Sequence, residues 1–327
     1  MNAKLEQIAE KIKAAKKIAI FGHQKTDCDC VSSMLAASYM CEELGKKVEI
    51  FVDSELDETV LSLPGVEKLN KAASGQKADL LLSLDTATSE RLGKYKTEFL
   101  LHKNTCRIDH HGNTENYAKL DYVDDSLPAT CLILKQLQKL LNVKDSHELN
   151  YLLLSGTMSD TGCFRFNTTT SKTLRTAAEI VDGLNGGYND VYCAQFNNKS
   201  KHKLMVEAYA IQNAEFFQND QIALTFFSLD TMKKLATNIT ESSHRMLHLL
   251  DIGSVKIAIS VTEEQKGRYA VSFRSKGDTD ISVCAAAFGG GGHKGAAGCK
   301  IPGKAENVIK RVVEEAIKVL EKQDATK

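Results

Sequence analysis

No sign of charge prevails in this chain of 327 residues: Lys plus Arg and Asp plus Glu each number 42. Such a balance provides no field to gather a long polyanion, so long duplex nucleic acid is not expected as a partner, and any affinity for phosphate must come from local groups. No pair among the nine cysteines has CxxC spacing, the opening MNAKLEQIAEKIKAAKK lacks the apolar core of a secretory signal, and no apolar run reaches membrane-spanning length. These absences point to a reduced, cytoplasmic protein without a membrane partner. Nor is there a repeat of solenoid period. What the chain does have is bulk: 43% hydrophobic composition, over a length beyond the usual single core, leads to an expectation of two domains.

Helical spacing of Leu5, Ile8, Ile12 and Ala15 precedes the apolar run KKIAIF (16–21), which reads as a buried strand ending at Gly22. VSSMLAASYMCEELG reads as a helix closed by Gly45, KVEIFV as a second strand, ADLLLSLD (78–85) as a third and TCRIDHH (105–111) as a fourth. Alternation of this kind predicts an α/β fold with a parallel sheet and flanking helices, expected over 1–187. The polar stretch 188–215 carries no clear strand and reads as a partly helical linker. Over 216–327, QIALTFFSL, SVKIAISVTE and RYAVSFRS are strand-like, with a turn at Gln265, Lys266 and Gly267 between the last two. A helix at ISVCAAAF, the segment GGGGHKGAAG and an amphipathic C-terminal helix complete a smaller α/β domain, expected across a cleft from the first.

The chemistry-bearing residues gather at the ends of the apolar runs. His23, Asp27 and Asp29 follow the first, Asp85 ends the third, Asp109, His110 and His111 end the fourth, and Asp160 follows YLLLSGTMS. Carboxyl ends of parallel strands line one crevice, so residues far apart in sequence converge there. Any one Asp in such a place is more often a cap or turn residue; the concentration is what argues for a site. Crowded carboxylates repel one another unless cations neutralise them, and mixed carboxylate and imidazole donors suit a pair of divalent ions, Mn²⁺ first and Mg²⁺, Co²⁺ or Zn²⁺ next. Two such ions clamp the attacking and leaving oxygens of a phosphoryl displacement, which predicts a phosphate ester hydrolase.

The motif H-x₃-D-x-D at His23, Asp27 and Asp29, the isolated Asp85, the triplet Asp109-His110-His111 and Asp160 in SDTG together resemble the DHH phosphoesterase superfamily. In the second half, SFRS (272–275), Asp280, Ile281, Ser282 and FGGGGHKGAAG (288–298) resemble that family's DHH-associated domain. The likeness covers nearly the whole chain and is closest to its stand-alone NrnA-type members, which implies oligoribonuclease activity together with phosphatase activity on 3′-phosphoadenosine 5′-phosphate. It further implies that His23 and Asp27 hold one metal, that Asp29, His110 and Asp160 hold the other, and that Asp85 bridges them. Asp109 would support these ligands, and His111 would meet the scissile phosphate or protonate the leaving oxygen. Arg274 would grip a terminal phosphate, Gly289, Gly290, Gly291 and Gly292 would cradle phosphate oxygens with backbone amides, and His293 would reach the scissile group. Short RNA oligonucleotides or small nucleotides are the implied partners, and a homodimer is compatible with this.

The first motif departs from the family's usual Pro-Asp-Gly-Asp-Ala, reading Thr26-Asp27-Cys28-Asp29-Cys30. Cys28 in place of glycine is expected to strain or shift the loop; its alternatives are a thiolate ligand for a softer metal or a small buried side chain. Competing readings are a cyclic or linear dinucleotide phosphodiesterase, a family II inorganic pyrophosphatase, against which GGGGHKGAAG argues, and a non-catalytic nucleotide binder. For the last, Gly298 to Ala305 narrowly misses G-x-x-x-x-G-K-[ST], with Ala305 in place of the hydroxyl. His244 and His248, four apart, lack a third ligand nearby and read as an ordinary helix face.

Overall fold

The computed structural model describes residues 3–56, 58–70, 77–112, 114–238 and 246–325. It divides into two compact units, Met1–Asn198 and Lys199–Lys327. Residues 188–215 hold a short helix at Tyr188–Tyr192, a π-turn at Cys193–Asn197 and the helix Lys201–Gln212, so the division falls inside this stretch. No described helix is long and apolar enough to cross a membrane.

The first unit is built on strands β1 (Lys17–Phe21), β2 (Lys47–Phe51), β3 (Leu69–Asn70), β4 (Leu80–Leu84), β5 (Thr105–Asp109) and β6 (Leu120–Val123). They form one parallel sheet in the order β3-β2-β1-β4-β5-β6. All five residues of β4 and all five of β5 are buried, as expected of strands covered on both faces. Alternation sorts β1 between two cores. Ile18 and Ile20 pack with the helices Ala3–Ala14, Cys28–Glu43, Thr130–Leu141 and His147–Thr161, whereas Ala19 and Phe21 face Phe51, Leu81, Tyr95 and Phe99 on the other side. β3 and β6 go beyond the sequence reading: the first is two residues long, and the second carries Asp121 inside the sheet, buried against Arg107. The run YLLLSGTMS is not a strand but the middle of the helix His147–Thr161, apolar all round because other helices cover it, which erases the periodicity that separates the two.

The second unit holds β7 (Glu215–Phe217), β8 (Ile222–Phe227), β9 (Ile257–Gln265), β10 (Arg268–Ser275), β11 (Gly291–His293) and β12 (Ala296–Pro302), in the order β11-β12-β10-β9-β8-β7. Only the β8–β9 pair is parallel. Val308, Val312, Ala316 and Leu320 of the Ala305–Ala325 helix cover one face together with Tyr269, Val271 and Phe273. On the other face, Met246 and Leu249 cover the Ala223 and Ala258 end. The segment that nearly matches a phosphate loop is no loop: Gly298 to Pro302 lie in the ladder with β10. His248 sits in the turn Met246–Asp251 beside Glu207 and Asp251, and His244 lies outside the described residues.

Candidate active site

β1, β4 and β5 are neighbours and end level: Phe21 pairs with Ser83, and Leu84 with Ile108. The next residues of each chain therefore emerge side by side, His23 after β1, Asp85 after β4 and His110 with His111 after β5. Asp85 turns out of its strand with φ 53°, a left-handed conformation that Asp tolerates better than most residues, and its amide donates to the Ile108 carbonyl at 3.0 Å. Gly22 lets the Cys28–Glu43 helix come close, since a Cβ there would collide with Cys30 and Met34. Asp27 is the N-cap of that helix, its Oδ1 accepting from the Cys30 amide at 3.0 Å.

Four contacts define the centre. His23 Nε2 lies 3.4 Å from Asp27 Oδ2 and 3.4 Å from Asp85 Oδ2. His110 Nε2 lies 3.4 Å from Asp85 Oδ1 and 3.3 Å from Asp160 Oδ2. Asp85, only 1% exposed, thus offers one oxygen to each imidazole. Asp29 joins through His110 and Asp160, the three ligand atoms lying within 4.8 Å of one another. Both its oxygens also accept from the first amides of the Thr130–Leu141 helix, Thr130 at 2.7 Å and Cys131 at 3.2 Å, where the helix dipole favours an anion. Asp160 comes not from a strand end but from the last turn of the His147–Thr161 helix, which passes Asp29 at Gly156, where any Cβ would strike the carboxylate.

The electrostatics follow from this crowding. Burial first, then repulsion from Asp160 and Asp85, holds Asp29 well above the usual carboxylate range. Burial likewise raises Asp160 to about 6, with Asp85 and Asp27 adding to the rise. Burial opposes a charged ring at His110, yet Asp160 and Asp85 lift it to about 11. Burial would also raise Asp85, but His110 and His23 hold it far below the usual range. Buried carboxylates this close together favour cationic partners, a role that divalent ions fill. His23 Nε2, in a side chain 1% exposed, has no hydrogen-bond partner. Separations of 3.3–3.4 Å are long for hydrogen bonds but match the roughly 3.4 Å between donors that share one ion through bonds of about 2.1 Å at the tetrahedral angle. The residues fit divalent cations.

Around this centre stands a frame that sequence reasoning missed. Arg107, fully buried within β5, reaches Asp121 Oδ1 at 2.8 Å through Nε, the Ala87 carbonyl at 3.0 Å through Nη1, and lies 3.8 Å from Asp109 Oδ2. Asp109 Oδ1 accepts from His111 Nδ1 at 2.7 Å and from the His110 amide at 2.9 Å. His111, 33% exposed, is thereby fixed with its other nitrogen available. The Thr130 hydroxyl donates to Asp85 Oδ1 at 3.0 Å, and Arg91 lies 3.0 Å from His23 Nδ1. An arginine inside an otherwise apolar strand was the available signal. Cys28 begins a helix without a positive φ, so the expected strain is absent; the left-handed residues nearby are Lys25 and Asp85. Its Sγ lies 3.2 Å from Gln195 Oε1, and it belongs to none of the converging ligand groups among the described residues, whereas Cys30 does.

In the second unit, Arg274 pairs with Ala296, which pairs in turn with His293. Directly paired residues share a face, so Arg274 and His293 flank a small side chain on one row, about 10 Å apart at two strand spacings. Ser272, Gly298 and Gly291 form the row beside it. This face lies opposite the Tyr269, Val271 and Phe273 core. Arg274 is half-buried, donates to the Phe273 carbonyl at 2.9 Å and has no carboxylate partner among the described residues. The glycine run has structural tasks of its own. Gly289 follows the Ser282–Ala286 helix at φ 73°, and Cβ atoms on Gly290 and Gly292 would run into the Gly298 and Ala296 carbonyls; Gly289 and Gly291 have open space, and of these only Gly291 lacks a left-handed φ.

Residues 17–157 match the DHH family, N-terminal domain, and residues 225–322 match the DHHA1 domain. The bifunctional oligoribonuclease and PAP phosphatase NrnA of Thermus thermophilus is 30% identical over 95% of this chain and 93% of its own length. The protein of the same name from Bacillus subtilis is 28% identical over 87% of this chain and 89% of its own. A solved exopolyphosphatase-related protein from Bacteroides fragilis shares the fold, with a TM-score of 0.88 at 22% identity, covering 98% of this chain and 96% of that one. With histidines and aspartates converging at the strand ends and relatives alike over nearly its whole length, the protein belongs to the DHH family and carries a DHHA1 domain in its second unit.

Proposed function

We propose that the chain is a two-metal phosphoesterase that hydrolyses short oligoribonucleotides and 3′-phosphoadenosine 5′-phosphate. The observation that carries the reading is Asp85, whose two oxygens face His23 and His110 separately and so suit one ion on each side. His23 and Asp27 then hold one ion, and Asp29, His110 and Asp160 the other. Manganese is the first choice for a set dominated by oxygen donors. Bound there, two divalent ions neutralise phosphate oxygens and lower the pKa of a water.

The protein's own groups supply the rest. Asp109 holds Nδ1 of His111 and leaves the opposite nitrogen to donate a proton to the departing oxygen. Thr130 and the Thr130–Leu141 helix terminus keep Asp85 and Asp29 turned inward before substrate arrives, so no reorganisation is required at the moment of reaction. Arg274 and His293, with glycine and alanine between them, offer a charged grip beside a surface with little side-chain relief, which suits a nucleotide's terminal phosphate. Relatives that bear the names of both activities support the substrate class. The test is hydrolysis with Mn²⁺, side by side, of di- to pentaribonucleotides, 3′-phosphoadenosine 5′-phosphate, cyclic dinucleotides and pyrophosphate. The first two should be cleaved fastest; preference for pyrophosphate or a cyclic dinucleotide would overturn the assignment.

A further inference from the structure

Cys30 lies in the first turn of the Cys28–Glu43 helix and is completely buried. Its sulfur, a ring nitrogen of His23 and a carboxylate oxygen of Asp85 fall within 4.8 Å of one another. The His23 backbone amide points at the sulfur from 3.4 Å. Burial raises this thiol to about 11, so the sulfur gives up its proton only to a cation that binds it. The second observation is at the histidine: His23 Nε2 is buried and makes no hydrogen bond, its carboxylate neighbours Asp27 and Asp85 standing at 3.4 Å. A small apolar filler beside Gly22 and Met34 would account for the burial of Cys30, but not for a sulfur gathered within 4.8 Å of both an imidazole nitrogen and a carboxylate oxygen.

We propose that Cys30 is a metal ligand, its thiolate joining His23 and Asp85 on one ion and giving that position a mixed nitrogen, sulfur and oxygen donor set that selects Zn²⁺ over Mn²⁺ or Mg²⁺. This rests on the two-metal reading and amends it at one position only. The Asp29, His110 and Asp160 position keeps oxygen and nitrogen donors, so the two sites differ in softness and prefer different ions. On coordination the S–H bond breaks, its proton leaves to solvent, and sulfur keeps the electron pair that forms the metal–sulfur bond; nothing is oxidised or reduced. Asp27, whose Oδ2 lies 3.4 Å from His23 Nε2, stands beside this group of three donors, and zinc commonly takes a fourth ligand.

The experiment is cobalt substitution of the full chain, stripped of metal and titrated with Co²⁺. A thiolate on Co²⁺ gives near-ultraviolet charge-transfer absorption, which nitrogen and oxygen ligands do not, while visible ligand-field bands report any bound Co²⁺. The wild type should show both, Cys30→Ala should keep the visible bands and lose the charge-transfer band, and Cys28→Ala should keep both. In competition, preference for Zn²⁺ over Mn²⁺ should fall about 10- to 100-fold in Cys30→Ala. Visible bands in the wild type without charge transfer, or a charge-transfer band that survives Cys30→Ala, overturns the cysteine ligand and leaves the two-metal reading intact. No cobalt bands at all in the wild type overturns the two-metal reading itself. Should Cys30→Ala not fold, zinc-edge X-ray absorption of the wild type decides the matter: a sulfur scatterer in the zinc shell supports the proposal, and its absence refutes it.

Discussion

The two units handle phosphate chemistry by opposite means. The first buries charge: Asp29, Asp85 and His23 are at most 1% exposed, carried by strand ends and a helix start, and every carboxylate oxygen is aimed by a neighbour. The second clears side chains away: on the outer face of β10, β12 and β11, Ala270, Ser272, Ala296, Gly298 and Gly291 leave open the ground between Arg274 and His293 at one end and Arg268 and Lys300 at the other. Buried charges cannot be left unpaired, so the first arrangement demands ions and fixes them in place. An open face makes no such demand and can accept ligands of varied length. On the proposed function, chemistry that must be positioned to a fraction of an ångström falls to the buried centre, and recognition to the open sheet.

If this contrast is right, damage in the first unit destroys turnover and damage in the second weakens binding. The largest effect is expected from Asp85→Ala, which removes an oxygen from each side of the centre. Turnover should fall by more than about a thousandfold, and metal content, read by plasma emission, should drop with it. Wild-type rate with full metal would break the bridging role. Next comes His111→Ala. Losing a proton donor of this kind costs about 10²- to 10³-fold in kcat, with bound metal unchanged, since Asp109 holds Nδ1 of His111, the nitrogen nearer Asp85. A parallel loss of metal would make His111 a ligand instead.

The contrast also governs what the sequence could reveal. Polar residues after apolar runs stand out, so the centre's donors were legible from their places in the chain even though Asp160 sits on a helix. The frame behind them was not. Arg107 occupies a strand position that its neighbours make apolar, and only the fold shows Asp121 of β6 and the Ala87 carbonyl arriving to pair it. Thr130 and the amides that hold Asp29 come from about a hundred residues away. Glycines in the second unit were visible, but their reasons were not, because close approach between β11 and β12 looks in sequence like a loop. A pair of substitutions separates those reasons. Gly290→Ala drives a methyl into the Gly298 carbonyl and should destabilise the second unit by about 1–3 kcal/mol in urea unfolding. Gly291→Ala meets nothing within 4 Å and should leave the midpoint unchanged. Equal destabilisation by both would mean that the face is packed rather than open.

The smallest effect, and the finest test of the division of labour, is Arg274→Ala. The side chain lies on the outer face and its hydrogen bond is to its neighbour's carbonyl, with no carboxylate partner among the described residues, so its removal should disturb the fold little. A charge-assisted bond from guanidinium to phosphate is worth roughly 1.5–2 kcal/mol, or about 10- to 30-fold in affinity. If the bond forms equally in the bound substrate and in the transition state, KM rises by that factor and kcat stays. The rise should appear only for substrates with a terminal phosphate, whereas oligoribonucleotides lacking it should be cleaved by wild type and variant with the same kcat/KM. Length sharpens the point, because with a net charge of zero the protein has no track for a long strand. Efficiency should therefore decline beyond about five nucleotides, an order-of-magnitude limit set by how few phosphates a single nucleotide-sized site can hold. Should long RNA be cleaved as well as short, with Arg274→Ala indifferent to the terminal phosphate, recognition would not reside on this face, and the contrast between a buried centre for chemistry and an open sheet for binding would fail.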